Sequence, residues 1–194
     1  MTTVIKLGGS LLEPEPSPEL IAALARVATQ GRNFLAELRP GLERLSELSR
    51  ETIHVGVRDG YEVLHIDRID SLERVGVASK IGSRAALHTT GLGKAILAFL
   101  PPERAAEVVR RIRYERPTHR TISTPEALRA ELEKTRRRGY AVDDEELEEG
   151  LRCIAVPVLD AQRLPVAAVS VSGPSFRVTA QKLPAIANHL LQCV

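Results

Sequence analysis

The stretch Thr52-Ile-His-Val-Gly-Val-Arg-Asp-Gly-Tyr-Glu-Val-Leu-His-Ile-Asp-Arg68 sets the fold class. Two alternating runs, rich in β-branched residues, flank Asp59-Gly60. A period of two puts successive side chains on opposite faces of a strand, and Asp-Gly favours the tight turn between antiparallel strands. The stretch therefore reads as a β-hairpin. Working outward, Val75-Gly-Val-Ala-Ser79 is expected to form a third strand. Gly91 to Leu100 reads as a helix closed by Pro101-Pro102, and Glu103 to Ile112 as a second. Thr124-Pro125-Glu126 sets a capping residue before a proline at the first helical position, opening a helix to Arg138 that Gly139 stops. Leu151 to Leu159 and Val166 to Ser172, joined by a turn over 160–165, read as a buried antiparallel pair, and Val178 to Val194 as a closing helix. Strands, helices, strands and a final helix predict an α+β domain whose mostly antiparallel central sheet is flanked by helices.

On the other side of the hairpin the texture changes. Leu35, Leu38, Leu42, Leu45 and Leu48 recur at spacings of three and four, which makes one apolar stripe on a helix spanning Glu19 to Arg50. Pro40 is expected to kink that helix or to open a second one. Glu13-Pro-Glu-Pro-Ser-Pro18 cannot continue a helix and reads as a linker. The division that follows is a leader or linker over residues 1–30, then a linker helix with one domain over 31–194.

The chain has 194 residues and a formal net charge of +2, with 43% hydrophobic, 27% charged and only 3% aromatic residues. That length supports one good core, which must be aliphatic. Aromatic poverty argues against single-stranded nucleic-acid binding, which stacks bases on rings. Apolar runs such as Ala95 to Leu100 fall far short of the ~20 residues that cross a bilayer, so no membrane partner is expected. Two cysteines, Cys153 and Cys193, make neither a disulfide framework nor a four-ligand zinc site. A cytoplasmic location is the expectation. Basic and acidic residues interleave, as over Arg129 to Arg138, so the small excess reads as a solvated surface. No helix-turn-helix, zinc-finger or RNA-recognition motif is visible.

Several groups of residues could carry chemistry. Val4-Ile-Lys-Leu-Gly-Gly-Ser10 is like the phosphate-binding start of an amino-acid kinase, with Lys6, Gly8 and Gly9 as its turn, or it is a leader. Leu87 to Leu97 puts the turn Thr90-Gly-Leu-Gly93 before an apolar helix. The first N–H groups of that helix have no intrahelical partners and suit a small anion; equally, the glycines could serve a tight turn alone. The acids from Asp143 to Glu149 read as a solvated loop, or as a metal or acid/base site. Cys153 sits mid-strand, and Ser170 and Ser172 share a face of the partner strand. They either satisfy backbone groups or point into a pocket. A hydrolase using Cys153 and a metal sensor using His65 or His88 stay open as alternatives, although no nucleophile elbow or metal-ligand spacing supports them.

Ile81 to Leu97, Thr121 to Leu128, Gly139 to Glu146 with Gly150 to Pro157, and Val169-Ser-Val-Ser-Gly-Pro174 resemble, in order, the IclR family of bacterial transcriptional regulators. The resemblance runs from about Arg32 to the C-terminus. It implies a GAF-like effector-binding domain preceded by a linker helix, in a dimer or tetramer, with a winged helix-turn-helix preceding this stretch as the only DNA contact. No cofactor and no catalysis are implied. The implied effector is a small organic acid, its carboxylate held by N–H groups at Gly91 and Leu92, with polar contacts from Asp143, Cys153, Ser170 and Ser172. Val77 and Ala85 fall at apolar wall positions. The small Ala85 implies room for more than a two-carbon acid, an aromatic or branched one. Arg74 is a departure, a charge where the family often has an apolar residue.

Overall fold

The structure, a computed structural model, describes residues 34–194. The Lys6/Gly8/Gly9 turn, the Pro-Glu stretch and the first part of the long helix lie outside the described residues. Helix α1 (Phe34–Ser49) leads into the hairpin β1 (Thr52–Asp59) and β2 (Glu62–Ile69). Strand β3 (Arg84–Ala86) follows, then helices α2 (Gly91–Phe99), α3 (Pro102–Arg111) and α4 (Pro125–Arg138). Strands β4 (Ala141–Asp144), β5 (Leu151–Leu159) and β6 (Pro165–Pro174) come next, and α5 (Leu183–Cys193) closes the chain after a short 3-10 turn. The six strands form one antiparallel sheet in the order β3-β2-β1-β6-β5-β4. This is the α+β architecture expected.

The hairpin forms where the alternation placed it. Asp59 pairs with Glu62, leaving a two-residue loop whose first member, Gly60, takes φ 61°. A side chain there would be strained, so the Asp-Gly signal has a direct backbone cause. The expected strand over Val75 to Ser79 is instead irregular, and β3 lies further on at Arg84–Ala86. Arg68 explains the difference: its guanidinium donates to the carbonyls of Val77 (2.8 Å) and Ser79, groups a ladder would otherwise need. Pro40 sits inside a single continuous α1 and does not open a second helix, which removes one of the two readings of that position.

Helices cover both faces of the sheet. On one face α1 and α5 bury Leu38, Leu42, Leu45, Ala187 and Leu190 against Ile53, Val55, Val169, Val171, Ile154 and Val156. Gly41 lets α1 approach α5 closely, since a Cβ there would stand 2.6 Å from the Cys193 sulfur. Leu48, the last leucine of the stripe, is exposed. On the other face α2 packs over Ala155 and Ala168. Gly56 completes that floor; a Cβ on it would meet Leu92 at 3.0 Å. With both faces covered, β5 and β6 are buried almost throughout, which is why their sequences read as apolar runs.

Candidate functional site

Strand register gathers the polar residues. One row across the sheet runs Asp143–Cys153–Ser172–Thr52, and the next runs Ala155–Ser170–His54–Arg68. Residues paired across antiparallel strands project to the same face. Four strands thus put a carboxyl, a thiol, three hydroxyls and an imidazole on the face that α2 covers. The N-terminus of α2 ends over them. Gly91, Leu92, Asp143, Cys153, Ser170 and Ser172 all line one small cavity, together with Val77. Ala85 is half-buried on β3 opposite Val63 and is not part of that lining, and Arg74 is exposed to solvent.

The start of α2 leaves backbone donors over the cavity. Thr90 caps α2, its hydroxyl accepting from Gly93 N at 3.0 Å, and its carbonyl accepts from Lys94 N at 3.1 Å. Those two bonds leave the Gly91 and Leu92 N–H groups as the donors without an intrahelical partner, at the positive end of the helix dipole. The two glycines of the turn have different duties. A Cβ on Gly91 would make ordinary contact with Ala155 at 3.4 Å, whereas one on Gly93 would stand 2.2 Å from the Leu87 carbonyl oxygen.

Beneath the helix lies a charge cluster that sequence reasoning missed. Lys94 is fully buried and its ammonium pairs with Glu146, which is itself buried. Lysine is almost never fully buried unless paired. Burial pushes the Glu146 pKa up, and the nearby ammonium works against that rise. The acids expected to be a solvated loop divide accordingly. Glu148 and Glu149 are exposed, but Asp143 and Glu146 are interior. Thr118 and Thr121 hydroxyls donate to the carbonyls of Glu145 and Glu146, pinning the loop (2.8 and 2.6 Å). The signal available in the sequence was Lys94 in the middle of an otherwise apolar helix.

Asp143 is under strong electrostatic tension. Its Oδ1 accepts from Glu146 N at 2.8 Å and Leu147 N at 3.3 Å. Its Oδ2 is buried with no hydrogen-bond partner. Burial raises its pKa from 3.8 to about 7, with Lys94 pulling it down and Glu146 pushing it up. The Cys153 thiol is pushed well above its ordinary value, first by burial and then by Asp143. A reactive cysteine needs the opposite, a stabilised thiolate. Ser170 and Ser172 hydroxyls face one another at 3.3 Å.

Two histidines complete the cavity, and neither was expected there. His54 Nε2 lies 2.5 Å from Ser79 Oγ, and His54 and His65 meet edge to face at 5.0 Å. Both line the cavity. Burial lowers the pKa of each, that of His54 to about 3, so both rings are neutral at pH 7. His88 points elsewhere: its Nε2 engages the Glu115 carbonyl at 2.9 Å and its ring packs on Tyr114. The described residues contain no group of three side chains placed to hold a metal ion. None of the described helices is long and apolar enough to cross a membrane.

A GAF-like α+β fold with a helix start over a buried polar cavity is the architecture of an effector-binding regulatory domain. The comparisons with known proteins agree. The family profile "Bacterial transcriptional regulator IclR C-terminal" matches residues 26–194, and the chain belongs to this family. The HTH-type transcriptional regulator KdgR of Escherichia coli is 40% identical over 142 residues, covering 73% of this chain and 54% of the relative. The crystal structure of Thermotoga maritima IclR superposes with TM-score 0.80 at 30% identity, over 92% of this chain and 75% of that one. An IclR homologue from Microbacterium hydrocarbonoxydans, solved in complex with 4-hydroxybenzoate, matches with TM-score 0.72 at 27% identity over 82% of this chain and 64% of that one. The chain spans about half the length of the curated relatives it matches. Those relatives are named as transcriptional regulators and not as enzymes.

Proposed function

We propose that the domain senses a small organic acid. The carboxylate is received by the Gly91 and Leu92 N–H groups, and Asp143, Cys153, Ser170 and Ser172 contact the ligand from the sheet. Val77 supplies part of the apolar wall. The observation that carries this reading is the convergence on one cavity of the α2 N–H groups that have no intrahelical partner and the unpartnered Asp143 Oδ2. The solved neighbour that holds 4-hydroxybenzoate supports a carboxylic acid as the ligand class. The cavity is about 50 Å³. A cavity of about 150 Å³ takes benzene, so an acid of three or four carbons fits this volume better than an aromatic one. Ala85 does not set the size, because it stands outside the lining.

The ligand acts by binding one arrangement of the oligomer better than another, since only differential affinity shifts such an equilibrium. The output is DNA binding by a winged helix-turn-helix outside this chain, in a cytoplasmic homodimer or homotetramer to which the exposed Leu48 contributes contact area. Catalysis has no part in this reading: the Cys153 thiol is held protonated and buried.

Calorimetric titration with propionate, butyrate, their hydroxy and oxo derivatives and 4-hydroxybenzoate tests the proposal. At least one acid is expected to bind, and Ser170→Ala with Ser172→Ala is expected to weaken it by tenfold or more, at about 1 kcal/mol per lost hydrogen bond. Binding of none, or indifference to the double substitution, overturns the assignment.

The Asp143 carboxyl gives the site a pH dependence. Its folded pKa lies above its unfolded value, so its ionisation opposes folding progressively from about pH 4 up to about pH 7. A bound carboxylate raises it further, and binding then takes up a proton. Affinity is therefore expected to fall as pH rises from 6 to 8, approaching tenfold per unit at the upper end. Asp143→Asn keeps an acceptor for the Glu146 and Leu147 N–H groups and is expected to flatten the profile. An equally steep profile in the variant excludes Asp143 as its source.

A further inference from the structure

The cavity has a second polar end, opposite in character to the helix start, and a single backbone irregularity builds it. In the β1–β2 pair, Val55 faces Asp67 but Gly56 faces His65, so Ile66 is an extra residue bulged out of register. In an unbroken strand His65 and Arg68, three apart, would project to opposite faces. The bulge cancels one step. Arg68 pairs with His54, His65 with Gly56, and both share the cavity face, while Ile66 joins the core on the other side. A bulge commonly re-aims a side chain beside a site.

We infer that His65, positioned beside His54 by the Ile66 bulge, is a specificity-determining residue that reads a hydroxyl on the effector, and that the effector is a hydroxy acid. This rests on the carboxylate reading above and names the class of acid. His65 Nδ1 lies 3.1 Å from the Ser83 carbonyl oxygen, which can only accept, so Nδ1 carries the proton. In the neutral ring Nε2 is then a lone pair with no hydrogen. It accepts from a hydroxyl and has nothing to offer a carbonyl oxygen. The neutral state is enforced by burial and by the Arg68 guanidinium, which is itself fixed on the Val77 and Ser79 carbonyls. His54, engaged with Ser79 Oγ, braces the ring edge to face. A site built to pair a ligand hydroxyl discriminates strongly against analogues lacking it, because its own polar atom is left unpaired.

The test is calorimetry on the 194-residue chain with butyrate, 3-oxobutyrate and 2-, 3- and 4-hydroxybutyrate, with lactate, pyruvate and propionate as the shorter set. One hydroxy acid is expected to bind at least about tenfold more tightly than both its deoxy and its oxo analogue. His65→Leu is expected to abolish the preference, weakening the hydroxy acid and strengthening the deoxy acid, whose penalty for leaving the His65 acceptor unpaired is removed. His65→Gln, which keeps an acceptor near the Nε2 position, is expected to restore part of the preference. Equal wild-type affinity for hydroxy, oxo and deoxy acids overturns the inference while leaving the carboxylate site standing. So does a His65→Leu variant that weakens all acids alike. If no acid binds the wild-type chain, the carboxylate reading falls and this inference with it. The ligand preference is read on the wild-type protein, so the proposal is decided even if a variant fails to fold.

Discussion

Lys94→Met is expected to destabilise the domain by about 3–5 kcal/mol, the range for removing one partner of a buried ion pair. The ammonium is fully buried and answers two interior carboxyls, Glu146 by direct pairing and Asp143 through space. Methionine fills much of the volume and supplies no charge. Glu146 and Asp143 are then buried without a cation to offset them, and their pKa values rise above those in the wild type. The sign with pH follows. A carboxyl whose folded pKa is raised opposes folding once pH exceeds its unfolded value, and that opposition vanishes when both states are protonated. The variant's deficit should be largest near pH 8 and shrink toward pH 5. Urea unfolding at both pH values measures it. The double variant Lys94→Met with Glu146→Leu should recover a substantial part, since replacing a whole buried pair by apolar groups is often neutral. A deficit below about 1 kcal/mol at pH 8 would show the pair to be hydrated in solution.

Gly93→Ala should be at least as damaging, and for a different reason. Its Cβ would stand 2.2, 2.5 and 2.7 Å from the Leu87 carbonyl oxygen, Cα and carbonyl carbon. All three are backbone atoms, in the segment that carries the chain from β3 into α2, so no side chain can swing aside. Overpacking usually costs about 1–3 kcal/mol where neighbours can adjust. Here a cost above that range is expected, seen as loss of soluble folded protein or a collapse of the urea midpoint. Gly91→Ala is the control. Its Cβ makes ordinary contacts with Ala155 and Cys153, so the variant should fold while crowding the cavity. If both variants unfold alike, steric need is shared across the turn and Gly91 loses its distinct role.

These two glycines show how far the sequence could be read. A Gly-x-Gly before an apolar helix is compatible with an anion site and with simple crowding; the structure shows crowding at Gly93 and none at Gly91, where the proposed anion site remains the reading. Spacing could not assign them, because the answer lies in how near Leu87 comes. The acids over 143–149 behaved similarly. As a string they resemble a solvated run, yet Lys94, distant in sequence, draws Glu146 inward, and the β4–β5 register buries Asp143. The irregular segment around Val75 to Ser79 failed the strand reading because a single arginine competes for its carbonyls. His65 was visible as a residue in an alternating strand. Its face was not, since a bulge leaves the alternation of the letters intact and shifts only the pairing.

The sequence by itself determined the α+β class, the Asp-Gly hairpin, the caps at Thr124 and Gly139 and the family, because these depend on local backbone preference and on ordered motifs. The tertiary structure alone decided which polar residues share a cavity, which carboxyls are buried and which glycine is indispensable. Those outcomes depend on strand register and on the approach of distant segments, and burial is a property of the neighbours a residue acquires, not of the residue.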